Sequence, residues 1–336
     1  MFKFSCILSI SILLFVSCTQ DSPYNKLTVK DVPVKSWVRY EKMLDNVDTL
    51  SPEAGLRELE LKYPEFTTIY FLRVINDSYN PDTNYAKIFG MYRKSPVLLD
   101  LQKNFIPQFN ALDKEEKEYS ESFERLRQLL PGIKTPDVFT CLTEFGISVF
   151  STSDTVMGIS LEMYLGKGNK YYSTEIWPMY IQRSMNRDNI VSNLLKNYIR
   201  NSILPQKEPG TLLEHMIQQG KEVYLLRRLI KPEKDTLIYD YSADQLEFCR
   251  ENEKSMWSFF LSEKLVYNSH LKEIQKYIDP APTSPGMPPA SPGRTTAYIG
   301  GQILEAYMKR HPEISVKDMI RNTNAQKILE DAKYKP

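Results

Sequence analysis

A mostly helical α+β fold, with a small antiparallel sheet packed against helices, is predicted by three features of the sequence. Capped stretches of helical period fill the first third, short β-branched and aromatic runs occupy the middle, and helical period returns from residue 188 onward. In chain order, "SWVRYEKMLDNV" reads as helical. "SPEAGLRELELKYPEF" starts a second helix, with Ser51 as N-cap and Pro52 in its first position. "SPVLLDLQKNFIPQF" begins a third at Ser95-Pro96, and a fourth runs from Asp113 to Leu130, where Pro131-Gly132 stops it. "PDVFTCLTEF" and "ISVFSTSDTVMGISLEMYLG" then supply three strands, two of them a hairpin turning near Ser153-Asp154. Helices follow at 188–203, 211–230, 242 to about 265 and 295–310, with short ones after Ser315. The Pro-rich stretch "DPAPTSPGMPPASPGR", 279–294, is too extended to hold a helix, and reads equally as a lid or as a surface excursion.

The first residues, "MFKFSCILSISILLFVSCTQDS", have the layout of an export signal: Lys3, an apolar run from Phe4 to Val16, then Ser17-Cys18 and a polar stretch. The run is too short for a membrane-spanning anchor. A Cys at the cleavage point is the pattern of a bacterial lipoprotein, in which Cys18 is acylated, although Phe15 stands where such signals prefer Leu. The expected organisation is a signal over 1–17, a lipidated Cys and flexible tether over 18–34, and one folded domain over 35–330. Removing 1–17 takes away Lys3 and leaves 42 basic against 42 acidic residues, a balance that offers no field for nucleic acid. The expected partners are a membrane, reached through the lipid anchor, and other envelope proteins. Beyond Cys18 only Cys141 and Cys249 remain, which permits one disulfide but reads best as two buried thiols.

"LLKNYIRNSI" and "LLEHMIQQGKEVY" have the spacing of the helix pair that holds zinc in H-E-x-x-H proteases. There, two His one turn apart bind the ion, a Glu between them takes a proton from the bound water, and the next helix brings the third ligand. In this chain Asn197 and Asn201 stand at the His places, Tyr198 at the Glu place and Gln219 at the third-ligand place. Neutral amides are weak zinc ligands, so no metal and no other cofactor is expected. His215 and its neighbour Glu214 point in different directions on a helix and cannot chelate one ion.

With Tyr164-Leu165-Gly166, His215-Met216-Ile217, Gly220-Lys221 and the stretch Arg294 through Met308, these segments resemble the gliding-motility lipoprotein GldB family, across roughly residues 30 to 325. That family is in turn similar to zincin-like proteins that keep H-E-x-x-H. The resemblance implies a zincin-like domain in a lipid-anchored, envelope-facing component of a gliding apparatus and its protein export system. On this reading Asn197, Tyr198, Asn201 and Gln219 are degenerate zincin positions. His215, Arg294 and Tyr298 are candidates for lining the former substrate groove, although Arg294 is equally read as the partner of a buried carboxylate. Gly300-Gly301 is a further candidate for lining that groove and is equally read as a close helix approach.

No G-x-S-x-G elbow, P-loop or dinucleotide turn is present. Three functions are therefore expected in this order: a catalytically dead structural or adaptor subunit, a peptide- or glycan-binding protein, and a hydrolase with unrecognised catalytic residues. The stretch "TQDSPYNK" after Cys18 lacks the dense acidic cluster associated with surface export of lipoproteins, which favours a periplasm-facing anchor. A Cys18→Ser protein should leave the detergent phase in which the wild type partitions, because each buried acyl CH₂ contributes ~0.8 kcal/mol. Equal membrane retention of the two forms would refute the anchor.

Overall fold

The structure is a computed structural model that describes residues 22–76 and 84–336. The expected signal, and Cys18 itself, lie outside the described residues. The chain opens with a single turn at Pro23–Lys26, which lies against the helices rather than standing clear of them: the Arg125 guanidinium sits 4.0 Å over the Tyr24 ring, and Gln128 donates to the Thr28 carbonyl at 2.9 Å.

Strand β1 (Val38–Arg39) leads into α1 (Tyr40–Asp45), α2 (Pro52–Lys62), α3 (Pro64–Ile69), α4 (Tyr85–Tyr92), α5 (Pro96–Asn104) and α6 (Asp113–Leu129). Strands β2 (Asp137–Cys141), β3 (Val149–Ser151) and β4 (Val156–Ser160) follow. After an irregular stretch come α7 (Asn189–Tyr198), extended by a π-helical turn Ile199–Ile203, then α8 (Leu212–Leu229) and α9 (Thr236–Tyr239). The chain ends with α10 (Ala243–Glu251), α11 (Glu253–Ser262), α12 (Leu271–Ile278), α13 (Thr295–Arg310), α14 (Val316–Arg321) and α15 (Ala325–Ala332).

The mostly helical α+β class is as expected, but the sheet is mixed rather than antiparallel. Its order is β1-β2-β4-β3; β1 and β4 pair parallel to β2, and only the β3–β4 hairpin is antiparallel. Alternation along a strand reveals a hairpin, whereas parallel pairing joins segments that do not follow one another directly, Val38 with Phe139 and Asp137 with Val156, and leaves no local mark. The short β1 lies inside a stretch with helical pattern. It is held extended because Lys35 N–H donates to Ser120 Oγ (2.9 Å) and Trp37 N–H to Glu116 Oε1 (2.9 Å), both on α6. The expected helix over 242–265 is likewise two helices, divided at Asn252.

Both faces of the sheet are covered, and the period of two along each strand distributes the side chains between them. Phe139, Cys141 and Phe150 face α1–α4, where Phe66 stacks on Phe139 with centroids 4.2 Å apart. Val138, Val149, Met157 and Ile159 face the larger core built on α6, α7, α8 and α13. Gly158 carries no side chain because the Phe150 ring crosses its strand; a Cβ there would lie 2.1 Å from the ring. Cys141 and Cys249 are buried free thiols, and burial pushes the Cys249 pKa up to about 12.

The irregular stretch from Leu165 to Asp188 is ordered by the fully buried Gln182. Its amide donates to the Tyr172 and Trp177 carbonyls at 3.2 and 2.8 Å and accepts from Gly168 N–H at 2.9 Å. The Pro-rich stretch holds no helix and is closed on itself: Gly293 N–H donates to the Ala281 carbonyl (3.2 Å) and Ser284 Oγ to the Pro292 carbonyl (2.7 Å). Among the described residues no helix is long and apolar enough to cross a membrane.

Helix α8 is the hub and touches α6, α7, α9, α12, α13 and α15. It starts with a capping box that the sequence shows as Thr-x-x-Glu: Glu214 N–H donates to Thr211 Oγ1, and Glu214 accepts from Thr211 N–H at 2.9 Å. Its partner α13 lies so close that backbones touch. A Cβ on Gly300 would stand 1.8 Å from the Met216 carbonyl oxygen, and one on Gly220 would stand 2.3 Å from that of Gly300. Gly300→Ala should therefore cost about 3 kcal/mol or more by forcing the helices apart. Gly90→Ala, on α4 with nothing within 4 Å, should be neutral or gain up to ~1 kcal/mol. Urea unfolding of both variants checks the contrast.

Candidate functional site

The C-terminal turn of α7, helix α8, the end of α12 and the start of α13 enclose an open cleft of about 450 Å³. At its base Glu222, 3% exposed, accepts two bonds from Arg200 (Nε to Oε2 at 2.6 Å, Nη2 to Oε1 at 2.7 Å) and one from Arg294 Nη2 at 3.3 Å. Beside it the buried Lys196 Nζ donates to Asp240 at 2.7 Å. Burial by itself would raise the Glu222 pKa, but the charges of Arg200, Arg294 and Lys196 prevail and hold it at about 2. The two arginines make Glu222 an anion under all ordinary conditions.

Four of the seven positions singled out in the sequence meet here: Asn201, His215, Gln219 and Arg294 line the cleft. Asn201 is exposed on the π-helical turn. His215 is half-buried, and burial lowers its pKa against the opposing pull of Glu208, Asp279 and Glu214. Gln219 joins three elements, donating to the Ile278 carbonyl of α12 at 3.0 Å and accepting from Thr296 Oγ1 of α13 at 2.7 Å. Arg294 does pair with a buried carboxylate.

The other three point elsewhere. Asn197 faces the sheet, accepting from Ser151 Oγ at 2.6 Å and donating to the Val149 carbonyl at 3.4 Å. Tyr198 is buried edge-on against Phe123 of α6, with centroids 4.9 Å apart. Tyr298 is a correction to the expected groove: it lies on the far side of α13, where its hydroxyl donates to Glu253 of α11 at 3.3 Å. The physical reason is helical phase, since Tyr298 lies four residues beyond Arg294 and Arg294 is not yet helical. Arg294 sits in left-handed geometry (φ 56) just outside the helix and turns its side chain back toward α8. Among the described residues no group of three or more His, Cys, Asp and Glu is placed to hold a metal ion.

Reading the sequence missed Glu222, Arg200, Lys196 and Asp240. The available signal was a Lys and an Arg on α7 with a Glu on α8, inside otherwise apolar stripes. It also missed Glu162, fully buried at the end of β4. That carboxyl accepts through Oε1 from the N–H groups of Thr143 (2.5 Å) and Phe145 (3.2 Å), while Oε2 has no partner among the described residues. Burial outweighs those bonds and raises its pKa from 4.5 to about 7.

The two carboxyls act on stability with opposite sign. Folded Glu162 binds its proton more tightly than the unfolded chain does. Its contribution is full below about 4.5 and is lost as pH rises through 7, on the order of 3 kcal/mol. Folded Glu222 holds its proton less tightly, so its contribution is full above 4.5 and is lost as pH falls through about 2. Stability measured against pH should show the loss through pH 7 in the wild type but not in Glu162→Gln. Glu222→Gln, which leaves two buried guanidiniums facing a neutral amide, should cost about 3–5 kcal/mol at neutral pH.

A family model described as gliding motility protein GldB matches residues 23–336, nearly the whole chain. No curated protein and no solved structure matches it. With that match running through both helices of the cleft and the Arg294 turn, the chain belongs to the GldB family of gliding motility proteins.

Proposed function

We propose that this chain is a lipid-anchored, non-catalytic component of a cell-envelope machine, serving gliding motility and its associated protein secretion as a structural or adaptor subunit. Residues 1–17 direct export, Cys18 carries the acyl chains, and 35–330 act as one zincin-like unit held at a membrane, facing the periplasm. The family match supports the motility assignment.

One observation supports the non-catalytic reading: the residues at the four zincin positions do not converge on a common point. Asn197 ties α7 to the sheet, Tyr198 fills the core, and Gln219 ties α8 to α12 and α13; only Asn201 is left facing solvent. A hydrolytic site needs its ligands and base within reach of one substrate atom. Here the same helix pair serves as a strut.

Purified protein should contain far less than one zinc per chain by elemental analysis. It should also release no fluorophore from a quenched peptide library, with or without added zinc. Stoichiometric zinc that disappears in His215→Ala, or turnover abolished by Tyr198→Phe, would instead establish a hydrolase.

A further inference from the structure

Behind the cleft lies a second, smaller recess of about 50 Å³, lined by Tyr180, Arg183, Ser184, Tyr241, Gln245 and Gly293 among others. That is room for three or four water-sized groups. Arg294, Asp240 and Pro280 line both spaces, so Arg294 borders the cleft on one side and the recess on the other. We propose that the recess receives the terminal carboxylate of an extended peptide whose backbone lies in the cleft.

Arg294 is the first reason. Its side chain is 9% exposed, yet Nη2 has the one bond to Glu222, and Nε and Nη1 have no partner among the described residues. These donors keep contact with the open spaces that Arg294 lines, and a carboxylate matches their fork. The backbone supports the same reading. Arg294 holds the left-handed region, which costs a non-glycine residue about 1–2 kcal/mol, and its side chain lines both spaces from there.

The charges around the recess favour an anion. Arg183 also lines it, bonded to the neutral Gln245 side chain. Its carboxylate, Asp240, is held by Lys196 at 2.7 Å, and Glu222 is held by two arginines. Exposed Glu208 and Asp279 lie in the cleft, outside the recess.

The cleft selects the kind of chain. The side-chain amides of Asn201 and Gln218 line it without a hydrogen bond among the described residues, and they offer both donors and acceptors to a peptide backbone. Among the described residues no Trp, Tyr or Phe lines the cleft to stack on a sugar ring. The recess wall is rigid: Gly293 and Ala281 approach so closely that a Cβ on Gly293 would meet the Ala281 nitrogen at 2.4 Å.

This inference adds an occupant to the non-catalytic reading, and the two fail separately: cleavage of a bound peptide would end that reading and leave this one standing. The test is equilibrium dialysis of the full chain in detergent with a randomised hexapeptide pool bearing free C-terminal carboxylates. Its C-terminally amidated twin, glucuronate and inorganic phosphate serve as comparison probes. The free-acid pool should be retained at least tenfold over the amidated pool. Arg294→Gln should abolish the preference, as should Ser184→Leu, which fills the recess while leaving the charge cluster intact, with melting temperature reporting that each variant folds. Equal retention of the two pools would overturn the proposal. So would a folded Ser184→Leu chain that keeps the preference, or displacement of the pool by equimolar phosphate or glucuronate.

Discussion

Backbone contact between α8 and α13 is the constraint on which the rest of the structure depends. Gly220 and Gly300 let a carbonyl of one helix lie where a side chain of the other would be, and this sets the two axes close together. Glu222 follows Gly220 by two residues, and Arg294 precedes the first residue of α13. The distance across which their charges meet is therefore fixed by the glycine contact rather than by flexible side chains. The cleft follows from the same crossing, since α12 and the turn after α7 can only close around a helix pair whose separation is given.

Several buried charges depend on that frame. Glu222 sits between two guanidiniums, Lys196 reaches Asp240, and Lys221 turns the other way to donate to the Ile320 and Asn322 carbonyls at 2.9 and 2.7 Å. Among the described residues Lys221 has no carboxylate partner, and burial lowers its pKa to about 8. It thereby joins the C-terminal helices to the hub through the open carbonyls at the end of α14. Such groups add little net stability over apolar packing, because desolvation offsets most of the attraction. What they contribute is uniqueness, since a slipped helix would leave an unpaired charge in the core.

The hydrogen bonds of Asn197 and Gln219 show how a helix pair can persist without a shared chemical task. An amide both donates and accepts, so it can link two elements whose exposed groups differ: Asn197 meets a hydroxyl and a carbonyl, and so does Gln219. A carboxylate at either place would lack the donor needed for the carbonyl.

Local pattern determined much of the fold. Ser95-Pro96, Asp113 and Thr295 mark helix starts that the structure keeps, and the stripes Ile190, Val191, Leu194, Leu195, Ile199 and Leu213, Met216, Ile217, Val223, Tyr224 are all buried. The β3–β4 hairpin was legible because its pairing is local. So was the pairing of Arg294 with a buried carboxylate, as one of two alternatives. The parallel pairing of β1 and β4 with β2 was not, nor the break at Asn252, nor the direction of Tyr298. Each depends on which distant element competes for the same backbone or face. The charge cluster was hidden for the same reason: Lys196, Arg200, Glu222, Asp240 and Arg294 come from four separate parts of the chain. Sequence determines which residues can be helical and which must be buried, because both are local properties of period and polarity. Only the tertiary structure decides which buried charges meet, because their meeting requires two helix axes to be held at one separation.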